Sequence, residues 1–281
     1  STRKESSAAS DVYKRQSTLN AFPTTPSLEA LPDPMSLSIA SINIERSRHL
    51  PRVAAFIERE RPALLCLQEL CERDIPFFET LMGGAMAFAP MAHHPEEGPA
   101  NVVGVGMLAR GGALAKVKAE YYSGSPERIQ EMAFVTLEGR RMADPLSIAE
   151  VLLSATFGGF RIATTHLNVT PLGSSTPYQR ESAGKLIKLA KAQAHEAGGL
   201  LLTGDFNAPR GRATFDLIAE HFIDGVPAHY TSSIDGSLHR AGDIPFMVDG
   251  LFHTPGYRLE NVSLSTGVSD HCALSCRLSR A

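Results

Sequence analysis

Apolar positions in this chain come in runs, and polar residues close the runs. Residues 37–44 are mainly apolar, with β-branched Ile39, Ile42 and Ile44, which predicts a buried strand, covered on both faces. Leu50, Val53, Ala54, Phe56 and Ile57 recur at helical spacing and predict a helix over 50–61. A second buried strand is expected at 63–67 and a short helix at 74–82. Residues 101–108, 113–122 and 131–137 read as successive strands of a meander. Segments 150–157 and 160–167 flank Gly158-Gly159 and read as a hairpin. The longest helix is expected at 178–197, stopped by Gly198-Gly199. A short strand at 200–203, a helix at 214–219 and strands at 245–252, 257–265 and 272–278 complete the pattern. No internal repeat is visible.

Helix and strand alternate at both ends with strands between, so the expected class is a mixed α/β domain over 35–281. Residues 1–34 are rich in Ser, Thr, Ala and Pro, have no period, and read as a disordered tail. Within them, Ser10-Asp11-Val12-Tyr13-Lys14-Arg15-Gln16 has the character of a translated sequencing adaptor and is left out of fold reasoning.

Of 281 residues, 43% are apolar and 20% charged, as in a soluble globular chain. The net charge of −3 argues against a general polyanion binder, while leaving room for a local basic patch. Four cysteines suggest no disulfide framework, and Cys66 and Cys272 lie in apolar runs as buried thiols. Cys272 and Cys276 lack a second pair to complete a zinc site. No run has the length of a membrane helix, and no secretory signal is visible. A reducing, cytoplasmic setting and a monomer are the expectations.

The chemistry lies where the runs stop. Asn43-Ile44-Glu45, Gln68-Glu69, Thr165-His166-Leu167-Asn168, Gly204-Asp205-Phe206-Asn207 and Ser269-Asp270-His271 each follow an apolar run, and Val248-Asp249-Gly250 precedes the last. Taken singly, each has an ordinary reading. A glutamate at a strand end is usually a solvated charge, Gly-Asp and Asn are turn residues, and a lone histidine is more often structural. Taken together, they would place carboxylates, histidines and amides on one rim, a composition suited to a hard cation and a phosphate ester. On extended chain, Ser41, Asn43 and Glu45 share a face, as do His166 with Asn168 and Asp205 with Asn207. Asp270 and His271 are adjacent and point opposite ways. Asp249 is therefore the better partner for the His271 imidazole, leaving Asp270 for a metal.

In this order, the motifs resemble those of the endonuclease/exonuclease/phosphatase superfamily, over about 37–278. The pattern maps onto Asn43, Glu69, His166, Asp205, Asn207, Asp249, Asp270 and His271, none of which is replaced. That argues against a non-catalytic binding module. The family often has Trp before the first Asn, and this chain has Ile42. Some relatives carry Asp where Glu45 stands.

The resemblance implies a four-layer α/β/β/α sandwich with two stacked mixed sheets and the site at one edge. It also implies hydrolysis of a phosphodiester by in-line attack of water with Mg²⁺ or Mn²⁺. Glu69 would be the main metal ligand, with Glu45, Asp270 and Asn43 beside it. Asp205 would position or deprotonate the water. Asn207, His166 and Asn43 would hold phosphoryl oxygens, and His271, oriented by Asp249, would act at the phosphate.

Arg46, Arg48, Arg210, Arg212 and His239-Arg240 follow or precede these motifs and, with Asn168, are the expected substrate contacts. They tilt the reading toward a nuclease, although ordinary surface charge explains them equally. The alternative is a phosphatase or phosphodiesterase acting on a small or lipid phosphoester. Phe77, Phe78, Leu81 and Met82 form a modest apolar cluster in its favour. Lys185, Lys188 and Lys191 read as a solvated helix face. His93-His94 and the loop after them read as plain surface rather than a substrate lid.

Overall fold

The computed structural model describes residues 36–98, 101–137 and 139–281. The expected tail at 1–34, with its Ser10–Gln16 string, lies outside the described residues. In order, the elements are β1 (Leu37–Asn43), α1 (Leu50–Glu60), β2 (Leu64–Cys71), α2 (Ile75–Met82), β3 (Ala87–His93), β4 (Val102–Ala109) and β5 (Ala115–Ser123). There follow β6 (Phe134–Leu137), β7 (Arg140–Ala143), β8 (Glu150–Phe157), β9 (Phe160–His166), α3 (Pro177–Ala197) and β10 (Leu201–Asp205). The last are α4 (Ala213–Ala219), β11 (Ile223–Asp224), β12 (Asp249–His253), β13 (Tyr257–Ser265) and β14 (Ala273–Arg280).

One six-stranded sheet has the order β13-β14-β1-β2-β4-β3, and a second the order β11-β12-β10-β9-β8-β5. Strands β1 and β2 run parallel, as do β9 and β10, and their other neighbours are antiparallel. Both sheets are therefore mixed.

The two-faced apolar runs now have a cause. Leu37, Ile39, Leu64 and Cys66 face the second sheet and meet Ile162, Leu201 and Leu251 in one core. The alternate residues Ala40, Ile42, Leu65 and Leu67 face outward and pack on Val53, Phe56 and Ile57 of α1 and Phe78 and Met82 of α2. On the far side, Ala163, Leu202 and Phe252 pack on Ala183, Leu186 and Ile187 of α3 and Phe215 and Ile218 of α4. The result is the expected α/β/β/α sandwich. Thr176 caps α3 by accepting the Gln179 amide at 3.1 Å, and Gly198 ends the helix at φ 70°. Lys185, Lys188 and Lys191 form the exposed face of α3, and all four cysteines are buried and free.

The structure corrects the meander. β4 lies between β2 and β3 in the first sheet, β5 crosses to the edge of the second, and among the described residues β6 pairs only with β7. Periodicity marks a strand but does not name its partner. β3 escaped the sequence reading because of its small residues and Pro90. The proline is tolerated because β3 is an edge strand with a register shift at Pro90/Ala92. The expected strand at 245–252 shortens to β12. The apolar cluster on α2 is mainly core: Phe78 and Met82 are buried, and Phe77 is exposed. No described helix is long and apolar enough to cross a membrane.

Gly204 shows how tightly the second sheet is drawn near its polar end. Its φ is 142°, and a Cβ there would lie 2.1 Å from the Thr165 carbonyl oxygen on β9. Backbone blocks the space, so the clash has no flexible side chain to absorb it. Gly204→Ala is expected to destabilise the protein by about 3 kcal/mol or more. A denaturant titration showing less than about 1 kcal/mol would contradict this reading of the sheet.

Candidate active site

The layer between the sheets changes character along its length. Leu37, Ile39, Leu64, Ile162 and Leu201 give way to Ser41, Gln68, Thr164 and Thr203, then to Asn43, His166 and Asp205. Gln68 bridges the sheets, its amide donating to Thr164 Oγ1 at 2.9 Å and Ser41 Oγ at 3.3 Å. Strand register lines up the chemistry. Asp205 on β10 is level with His166 on β9 and Asp249 on β12, and Asn43 on β1 is level with Gln68 on β2.

Asp205 is the centre. Its Oδ2 accepts from Asn43 Nδ2 at 3.0 Å and lies 3.5 Å from His166 Nε2 and 3.7 Å from His271 Nε2. Its Oδ1 accepts the Asn207 backbone amide at 2.8 Å. Asn207 Nδ2 reaches His166 Nε2 at 3.1 Å and donates to the Leu167 carbonyl at 2.9 Å. Burial raises the Asp205 pKa, His271 and His166 oppose that, and Asp249 adds to it.

His271 Nδ1 lies 2.7 Å from Asp249 Oδ2, the pairing expected from sequence. Ser233 Oγ accepts the Val248 and Asp249 amides at 3.0 and 3.1 Å and fixes the start of β12. Burial disfavours the imidazolium, but Asp249 and then Asp205 outweigh it, and the His271 pKa rises well above its ordinary value. The ring is a held positive charge between two carboxylates.

Glu69, Glu45 and Asp270 gather beside this cluster. Glu69 sits on a bulge where Gln68 and Glu69 oppose one residue of β4, with φ 53°. The bulge turns its carboxylate toward Asn43, whose Nδ2 lies 3.3 Å from Oε1. Glu45 and Arg46 also have positive φ, 44° and 64°, as does Asn207 at 47°. Non-glycine residues in this region are costly, and such strain clusters at functional sites.

Burial, with Glu69 and Glu45 nearby, pushes the Asp270 carboxyl up to about 7, against the pull of His271. Among the described residues Asp270 makes no ion pair, and an oxygen-rich donor set of this kind fits a divalent cation.

The expected arginines are placed otherwise. Arg46 is buried, with Nη1 3.2 Å from Glu69 Oε2 and Nε 2.9 Å from Glu97 Oε1. It is a counter-ion inside the acidic cluster rather than a rim group waiting for substrate. Arg210 donates to the carbonyls of Val226, Tyr230 and Pro227 at 2.9, 3.1 and 3.4 Å and pairs with Asp224 at 2.7 Å. Its guanidinium clamps the 224–230 segment and does not serve as a free phosphate contact. Arg210→Ala should cost about 2 kcal/mol in thermal or chemical denaturation, with turnover little changed. A folded variant with collapsed turnover would restore the substrate role.

Arg48 lies 3.4 Å from Glu45 Oε1, and Arg212 stacks 4.5 Å over Phe246. Arg240 stands exposed beside His239, whose pKa is lowered by burial, then by His271 and Arg240. Asn168 is buried. Its amide donates to Glu150 Oε1 at 3.1 Å, and its side-chain Oδ1 has no partner.

Sequence reasoning missed several neighbours. His49 Nε2 lies 3.0 Å from Glu45 Oε2. His94 is buried, not part of a plain surface loop, and burial, then Arg46, lowers its pKa. Glu150 is fully buried and accepts from Ser182 Oγ at 2.6 Å, tying β8 to α3. Among these, only His49 carried a legible signal, its i+4 spacing from Glu45.

Comparison with known proteins agrees with the geometry. The sequence model of the Endonuclease/Exonuclease/phosphatase family matches residues 40–271. No curated protein matches in sequence. Among solved structures, a mannosyl-6-phosphatase from Bacteroides thetaiotaomicron is 14% identical, with TM-score 0.62, over 86% of this chain and 99% of its own. The human Nocturnin catalytic domain with bound sulfate is 17% identical, with TM-score 0.60, over 88% and 95%. The 3′ phosphatase NExo from Neisseria, bound to a product DNA hairpin, is 17% identical, with TM-score 0.62, over 85% and 98%. Since the family match runs from β1 to His271 and so takes in every motif gathered at this rim, the chain belongs to the endonuclease/exonuclease/phosphatase family of phosphoric ester hydrolases.

Proposed function

We propose that this chain hydrolyses a phosphodiester by in-line attack of water, with a divalent cation, and that nucleic acid is its substrate class. The observation that carries the reading is the convergence on Asp205 of Asn43, Asn207, His166 and His271, with Asp249 behind His271. A bound Mg²⁺ or Mn²⁺, held by Glu69, Glu45, Asp270 and Asn43, would supply Lewis-acid polarisation of a phosphoryl oxygen.

The rest is done by side chains. Burial makes Asp205 a stronger base than an exposed aspartate, suited to orienting a water and taking its proton. The His271 imidazolium, kept charged by Asp249, answers the negative charge that builds on the phosphoryl group. The Asn43 and Asn207 amides and the His166 ring are pre-positioned around the same carboxylate and need little reorganisation.

A second reading is a small phosphoester. It is favoured by Arg46 and Arg210, whose guanidinium groups are occupied by carboxylates and carbonyls. The test is a Mg²⁺ or Mn²⁺ cleavage panel of abasic, single- and double-stranded DNA, RNA, a 5′-tyrosyl oligonucleotide, inositol phosphates and sphingomyelin. Cleavage of a nucleic acid is expected. Activity confined to inositol phosphates or sphingomyelin would replace the first reading with the second.

A further inference from the structure

The turn after β1 builds a second feature into the acidic cluster. Glu45 and Arg46 adopt positive φ, so the chain curls back at once and leads into α1 at His49. The curl brings His49 over the Glu45 carboxylate, with Nε2 3.0 Å from Oε2. Asp270 comes to the same point from the end of the chain. One ligand atom from each of Glu45, His49 and Asp270 lies within 4.8 Å of the other two. Asp270 is 8% exposed, and its Oδ1 accepts only from Ser269 Oγ at 3.2 Å. Among the described residues, nothing donates to its Oδ2 and no Lys, Arg or His forms an ion pair with it. Arg46 does not fill the gap, because its guanidinium is drawn to Glu69 and Glu97.

We propose that His49 is a nitrogen ligand of the cation held by Glu45 and Asp270, and that the chain thereby favours Mn²⁺ or another transition ion over Mg²⁺. The inference rests on the cation-dependent reading above and adds the donor that sets ion preference. Mg²⁺ wants oxygen donors and retains its waters, whereas imidazole suits transition ions. Without a cation, the Nε2–Oε2 contact is a hydrogen bond that places a proton on Nε2. Ligation through Nε2 requires that proton on Nδ1, so the neutral ring changes tautomer and Glu45 exchanges a hydrogen bond for the ion. If His49 only oriented Glu45, a side-chain amide could replace it.

The experiment uses the full chain loaded with one equivalent of Mn²⁺ and read by electron spin-echo envelope modulation, beside calorimetric titrations with Mn²⁺ and Mg²⁺. Imidazole nitrogen modulation is expected in the parent protein and absent in His49→Gln and His49→Ala. In His49→Gln the Mn²⁺ affinity should fall by at least about tenfold, as for loss of a group that tunes a metal site. Its Mg²⁺ affinity should change by less than about threefold, since no oxygen donor is removed. His49 lies partly exposed at a helix start, and the Gln variant keeps a donor to Glu45, so the fold is retained. Mn²⁺ bound without nitrogen modulation, or modulation persisting in both variants, overturns the proposal and leaves the cation-dependent reading standing. No binding of either ion overturns both.

Discussion

Asp205→Asn lowers kcat/KM by about 10²–10⁴-fold, the range for loss of one acid–base group. The substitution is nearly isosteric and Oδ1 can still accept the Asn207 amide, while the amide nitrogen in place of Oδ2 gives up the bond from Asn43 Nδ2. What is lost is a buried base and one of the two carboxylates that hold His271 charged. His271→Ala should have a loss of the same order, because it leaves Asp249 buried without its 2.7 Å partner and removes positive charge from the phosphoryl site. Since Asp249, His271 and Asp205 form one connected unit, the double variant should lose little more than the worse single variant. Steady-state kinetics on the substrate found by the panel measures all three. Near-normal turnover in either single variant would remove Asp205 or His271 from the chemistry.

Removing the cation should have the second large effect. A chelator is expected to abolish turnover, and Mg²⁺ or Mn²⁺ to restore it. Glu69→Gln should lower turnover by about 10²-fold or more at any cation concentration, because a metal ion contributes several kcal/mol of transition-state stabilisation. The effect should also appear without a substrate. A cation at about 100 times its Kd stabilises the folded state by about 2.7 kcal/mol, which raises Tm by roughly 5–10 °C in a chain of this size. Glu69→Gln should flatten that rise. Glu69 is not part of the apolar core: it sits at the bulge in β2, and the helix-facing core uses Leu65 and Leu67. Turnover that survives exhaustive chelation would refute the cation requirement.

Much of the site was legible because strands ending in polar residues must put those residues at a sheet edge. Asn43, Glu69, His166, Asp205, Asn207, Asp249, Asp270 and His271 all meet at one rim. The choice of Asp249 over Asp270 as partner of His271 followed from the alternation of an extended chain, and the 2.7 Å contact bears it out. The arginines were harder. Arg46 and Arg210 follow the right motifs, yet a guanidinium reaches far enough that its partner depends on what folds beside it. For Arg46 that partner is Glu97, 51 residues away, and for Arg210 it is the 224–230 segment. His94 and Glu150 sit in stretches with no motif, and only the burial created by packing makes them notable.

By itself, the sequence determined most of the element types, the two-faced strands that demand a layered sandwich, and the order of polar motifs that marks the family. These are local properties, set by periodicity and by where apolar runs stop. The tertiary structure alone decided that β4 and β5 part company into different sheets and that the parallel β9–β10 and antiparallel β10–β12 registers set His166, Asp205 and Asp249 level. It also decided that a bulge aims Glu69 and that a left-handed turn delivers His49 to Glu45. Each of these depends on pairing between residues far apart in the chain, or on strained dihedrals that only the completed packing can hold in place.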